Sequence, residues 1–199
     1  ITFGVGDDIA AGDVSLDLRN SGRGYTPILN DLLTAYEGYP HTVVNAGVGG
    51  EDSSEGLARV QSVIDAHPEA VYFLILFGTN DSSGSMPVPS GLVFYGLQPG
   101  DPGYGELLEP GDSGYAGSFL DNMQQIIDAV IAAGKIPILA KVPITLGPCS
   151  TCTPFSDPDT ASRNILITDY NLVINSLITA NGIETTAPDF FDYFRTNQD

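Results

Sequence analysis

Two short stretches carry residue types that chemistry needs. NAGVGGEDSSEGLARV (45–60) reads as a strand exit, then glycines, then the start of a helix. Glycines let a backbone N–H approach a ligand with no side chain in the way, and anions settle well at the N-terminus of a following helix. FGTND (77–81) ends a buried apolar run in a small polar cluster. The amide of Asn80, held there, can donate from a fixed direction to an oxyanion forming in a reaction. Each stretch also has a plain structural reading: NAGVGG as a tight turn, Asn80 with Asp81 as loop caps. Taken singly, neither rises above it.

The other reactive side chains are few. His41 and His67 are the only histidines, and Cys149 and Cys152 the only cysteines, together in GPCSTCTP. A zinc site needs about four ligands, and the histidines lie far from the cysteines in sequence, so no metal and no cofactor are expected. A redox CxxC opens a helix after the first strand of its fold; this one comes late, among Pro, Ser and Thr. A local disulfide is the expectation, with free thiols as the alternative, and a disulfide would imply an oxidising compartment. Asp7, Asp8, Asp13 and Asp17 crowd acid together without the spacing of a calcium loop. PGDSGYAG (110–117) offers Ser113, but in a Gly/Pro loop with no buried strand before it.

The elements that must position these residues alternate. TPILNDLLTAY (26–36) has Thr26 as a cap, Pro27 at the first helical position, and Ile28, Leu29, Leu32, Leu33 and Tyr36 on one face. HTVVNAGV (41–48) is a short β-rich run. SSEGLARVQSVIDAH (53–67) is helical, with Leu57, Val60, Val63 and Ile64 as its apolar stripe. AVYFLILFG (70–78) is apolar without alternation, as a strand covered on both faces reads. A Gly/Pro/Ser-rich loop follows from Thr79 to about Tyr115, long enough to border an active site or to be an insertion. GSFLDNMQQIIDAVIAAG (117–134) is a helix with Phe119, Met123, Ile126, Ile127, Val130 and Ile131 inward and Gly134 closing it. IPILAKV (136–142) is a buried strand, SRNILITDYNLVINSLITANG (162–182) the last long helix, and IETTAP (183–188) a short final strand. Alternation of this kind predicts a single three-layer α/β/α domain on a mainly parallel sheet, with ligands beyond the carboxyl ends of the strands.

Together, in this order and at these strand ends, the two stretches resemble blocks II and III of the GDSL/SGNH hydrolases, a family of esterases, lipases and carbohydrate deacetylases. The family pattern N-x-G-x-x-G, then a helix, then a strand ending G-x-N-D, is met by Asn45, Gly47, Gly50, Gly78, Asn80 and Asp81. The resemblance covers most of the chain, since the element order fits too. It implies the flavodoxin-like SGNH fold, with the Gly50 N–H and the Asn80 side chain as two of three oxyanion-hole donors.

The family's first block is G-D-S, then Ile or Leu, Thr, any residue and Gly; its serine is the nucleophile. Two alignments compete. In the preferred one, Ile1-Thr2-Phe3-Gly4 is the I-T-x-G that directly follows the serine, and residues 4–24 are an acidic surface loop. In the other, Gly6-Asp7-Asp8-Ile9 is the block itself and Asp8 replaces the serine; its strand would be ITFGV, short and interrupted by Gly4. The last block, D-x-x-H, supplies the acid and base that a hydroxyl nucleophile requires. Asp189, Asp192 and Asp199 have no histidine three places on. Residues 1–199 are therefore expected to lie between the two catalytic blocks, as one domain truncated at both ends.

The charge is −18, from 25 acids against 7 bases. Such a surface repels phosphate backbones and anionic lipid, and no apolar run is long enough to span a membrane. The expectation is a secreted or periplasmic serine esterase domain acting on a small ester or an acylated carbohydrate, nearly inactive as these 199 residues alone. The alternative is a non-catalytic binding or structural module on the same scaffold, with loops 79–115 and 143–161 open to a protein partner. A nucleotide-binding doubly wound protein is a third reading, opposed by the acidic charge and the lack of a lysine near the glycine turn.

Overall fold

The computed structural model describes residues 2–4, 25–83, 86–145 and 158–196. Asp7, Asp8, Asp13, Asp17, Cys149, Cys152 and Asp199 lie outside them, and with them the disulfide and calcium questions. The elements run β1 (Thr2–Gly4), α1 (Tyr25–Glu37), α2 (Ser53–Ala66), β2 (Tyr72–Leu76), α3 (Phe119–Ala132), β3 (Ile136–Leu139), α4 (Pro158–Ala180) and α5 (Phe190–Thr196). The three strands form a parallel sheet in the order β1-β2-β3. Phe3 lies opposite Ile75 and Gly4 opposite Leu76; Tyr72 lies opposite Ile136 and Ile75 opposite Leu139.

β2 follows from its composition. Phe73 and Ile75 are fully buried and Leu76 nearly so, as expected for a strand covered by helices on a parallel sheet. α3 packs on α2, α4 and β3, presenting Phe119, Met123, Ile126, Ile127 and Val130, none more than 1% exposed. Ser118 caps it by accepting the Asp121 N–H at 3.2 Å, and Gly134 closes it at φ +72°. Across α3, the ring of Tyr170 from α4 stacks on Phe119 at 4.4 Å.

Five expectations need correction. The run 41–48 is not a strand: Asn45 alone makes a single bridge. Nor is 183–188, where the chain only reaches a bridge between Lys141 and Asp189, with the Lys141 N–H donating to Pro188 O at 3.0 Å. The apolar face of α1 does not point inward; Ile28 is 50%, Leu32 62% and Tyr36 87% exposed. That helix is tied by polar contacts instead, Asn30 Oδ1 accepting the Val43 N–H and Thr34 Oγ1 the His41 N–H. Ile131, expected inward on α3, is 44% exposed. Finally, the short glycine-interrupted run discounted as a strand is one: Thr2–Gly4 form β1, because pairing along β2 supplies the ladder that length alone would not.

The segment after β3 is held by side chains rather than by a neighbouring strand. Asn171 accepts the Val142 N–H at 2.8 Å and donates to Val142 O at 3.1 Å. Asn164, two turns earlier on α4, does the same to Thr145 at 2.8 and 2.9 Å. Each carboxamide acts as a stand-in for a peptide of a paired strand, meeting both backbone groups of Val142 and of Thr145.

Candidate active site

The glycine turn between Asn45 and Ser53 is shaped from within. Asn45 Oδ1 accepts the Gly47 N–H two residues on, at 2.9 Å, the local turn an asparagine side chain favours. Gly50 sits at φ +81° with open space where a Cβ would be, so the backbone conformation, not crowding, calls for glycine. Arg59, one and a half turns into α2, staples both ends of the turn. Its Nη2 donates to Ala46 O at 2.8 Å, and its guanidinium grips both carboxylate oxygens of Glu51, a residue 6% exposed. Such a fork-to-carboxylate pair adds directional hold to its charge.

α2 then starts cleanly. Asp52 accepts the Ser54 and Glu55 N–H groups at 2.9 and 3.0 Å, and Glu55 returns a bond to the Asp52 N–H at 3.1 Å. This is a capping box, spelled D-x-x-E in the sequence and overlooked there.

The second strand tip meets the first through Asp81 and Asn80. Asp81 is 1% exposed. Its Oδ1 accepts the Ser53 N–H at 3.0 Å and its Oδ2 the Gly78 N–H at 2.9 Å, so one carboxylate bolts the start of α2 to the end of β2. Burial pushes its pKa upward, and the hydrogen bonds from Ser53 pull against that. Gly78, at φ +121°, is packed so closely that a Cβ would lie 2.4 Å from Val142 Cγ2. Ser53 Oγ, fully buried, accepts Asn122 Nδ2 at 3.0 Å, tying α3 into the same knot.

Asn80 Nδ2 donates to Glu51 O at 3.0 Å. The carboxamide from one strand tip thus rests on the carbonyl one residue past Gly50. The amide nitrogen has two hydrogens, and among the described residues no acceptor takes the second. From the other side, Arg163 of α4 donates through Nη2 to Thr79 O at 2.9 Å. Gly50 and Asn80 are therefore brought together beyond the carboxyl end of β2.

The histidines are elsewhere. His67 ends α2 just before β2, at the amino end of the sheet, 3.6 Å from Glu69. His41 stacks on Tyr39 at 4.7 Å, four residues ahead of Asn45. Ser113 is exposed among the turns before α3. Arg59, Glu51, Ser53, Asn122 and Arg163 were not singled out in the sequence; only the capping box gave a local signal for any part of this assembly.

Comparison with known proteins shows what the chain is similar to. The profile of the GDSL-like lipase/acylhydrolase family matches residues 1–199. Esterase TesA of Pseudomonas aeruginosa is 36% identical over 83 residues, which span 42% of this chain and 39% of TesA. Among solved structures, that of TesA superposes with a TM-score of 0.54 at 21% identity, covering 91% of this chain and 74% of that one. LAE5, an alpha/beta hydrolase from the metagenome of Lake Arreo, gives 0.62 at 18% identity over 99% and 78%. A variant of Axe2, an acetyl xylan esterase from Geobacillus stearothermophilus, gives 0.62 at 17% over 98% and 78%.

Proposed function

Because the chain belongs to the GDSL-like lipase/acylhydrolase family, we propose that its joined strand tips are the oxyanion-binding half of a serine ester hydrolase. The observation that carries this is the Asn80–Glu51 bond, which holds the carboxamide beside the Gly50 turn with one N–H to spare. In the reaction, a serine oxygen attacks the ester carbonyl. The Gly50 N–H and the Asn80 amide then hold the charge that gathers on the carbonyl oxygen. A histidine takes the serine proton and returns it to the departing alcohol; water, deprotonated in the same way, releases the acid and restores the serine. The substrate is a small ester or an acylated carbohydrate. A Cys149–Cys152 disulfide would fit a protein working outside the cytoplasm.

Neither His67, at the amino end of the sheet, nor His41 stands in a D-x-x-H pattern that would supply that base. The chain alone is expected to cleave esters at only the residual rate that binding and the oxyanion donors supply. Purified residues 1–199 mixed with p-nitrophenyl acetate should release nitrophenol without a burst. A stoichiometric burst would overturn the inactivity.

One observation favours a second reading, a non-catalytic module. Thr2–Gly4 pair with β2 up to Leu76, so Gly6-Asp7-Asp8-Ile9 follows a strand in sequence as the family's first block does, with Asp8 in the serine's place. An Asp8→Ser variant, with imidazole supplied as base, would then gain ester cleavage over the parent chain. No gain would remove this reading.

A further inference from the structure

The loop after β2 closes a second recess, away from the strand tips. Residues 96–99 and Tyr104 on one side, and Thr168, Asp169, Phe191 and Arg195 from α4 and α5 on the other, enclose a pocket of about 400 Å³. At its floor Asp169 is 2% exposed. One carboxylate oxygen, Oδ2, accepts the Gly96 N–H at 3.1 Å. Among the described residues nothing bonds to the other. Asp169 thus brings an acceptor with spare capacity to the wall of a cavity large enough for a small ligand.

The lining narrows the chemistry. An anion would face Asp169, whose charge burial already disfavours, as its raised pKa shows. A cation would meet the guanidinium of Arg195, which lines the same pocket and pairs with Asp192. A neutral ligand rich in hydroxyls meets neither objection. The lining offers such a ligand polar groups on Asp169, Gln98 and Thr168 and aromatic faces on Tyr104 and Phe191.

We propose that this pocket binds a saccharide ring, with Asp169 accepting one of its hydroxyls. On α4, Asp169 lies six residues from Arg163, the residue that touches the Asn80 loop, a rise of ~9 Å. The pocket is thus about one or two sugar units along the helix from the strand tips. Its role, seating the sugar part of an acylated carbohydrate, rests on the ester-hydrolase reading above; binding itself does not.

The experiment is a titration of the ¹⁵N-labelled 199-residue chain with methyl β-D-xylopyranoside, methyl β-D-glucopyranoside, xylobiose and cellobiose, none of which carries an ester. At least one should shift the Gly96, Gln98 and Thr168 amides saturably. Asp169→Asn, which turns the open acceptor into a donor, and Tyr104→Ala should each weaken that binding about fivefold or more. Gln98→Ala, on the loop, repeats the test if Asp169→Asn does not fold. Asn80→Ala should leave it unchanged, which separates this site from the ester chemistry. Absence of saturation with all four sugars overturns the proposal, as does saturation indifferent to these pocket variants. Methylammonium or acetate shifting the same amides where sugars do not would overturn it as well.

Discussion

Asp81 shows how much one side chain can carry. It has only acceptors to offer and uses both on backbone N–H groups of different elements. Asp81→Asn would present an amide N–H to one of those donors, and the cost should be about 1–3 kcal/mol in a urea melt. The pH behaviour follows from burial. A carboxyl whose folded pKa lies above its unfolded value of 3.8 holds its proton longer in the native state. Its stabilising share is therefore complete below that value and is lost as pH rises through the folded pKa. Asp169, also raised by burial, has the same sign. Urea midpoints of the parent chain should carry a falling component as pH rises from the ordinary aspartate range. Asp81→Asn should flatten it; an unchanged slope would refute the assignment. Asn80 and Asp81 were legible in the sequence only as adjacent motif letters. That Asp81 would serve as a bolt and Asn80 remain half free depended on Ser53 and Glu51, residues a long way back along the chain.

Between elements, Lys135 does comparable work. It is 9% exposed, and its ammonium donates to His67 O, Pro68 O and Ala70 O at 3.2, 2.9 and 2.7 Å. One cation thereby closes the turn from α2 into β2 from the turn that leads α3 into β3. Lys135→Met keeps the stem and removes all three donors, so it should lower the unfolding free energy by about 1–3 kcal/mol without altering the strand tips. Matching urea curves for the two proteins would count against this. The elements that bury a full apolar face were legible: β2, β3, α2, α3 and α4 all appear where periodicity placed them, with shifted ends. Those whose fate depended on a partner were not. The 41–48 run has β-type residues but only a single bridge, and 183–188 forms none before the one at Asp189. α1 has a helical stripe, yet no described element covers it. Asn164 and Asn171 were invisible as structural residues, because inward polar groups on a helix look like noise until the backbone they complete is known.

At the level of the whole molecule, 25 acids against 7 bases set up repulsion among surface carboxylates. Added sodium chloride screens it over about 10 Å at 0.1 M. The melting temperature should therefore climb with salt, by about 2–4 °C for each kcal/mol of repulsion relieved, as followed by differential scanning fluorimetry. A flat or falling trend would show that the acids are neutralised locally. Among the described residues no helix is long and apolar enough to cross a membrane.

The long excursion between β2 and α3 returns to its own starting point. Phe119 N–H donates to Pro89 O at 2.8 Å, Leu120 N–H to Ser90 O at 3.2 Å, and Leu92 pairs with Leu107. Entry and exit are thus stitched side by side in one seam, and between them the chain is tied to α4 by the Gly96–Asp169 bond. A segment of different length or composition spliced in at that seam would leave the sheet and Asn80 undisturbed while remaking the wall around Asp169. This part of the chain is a replaceable cassette, the natural place to transplant a new ligand preference.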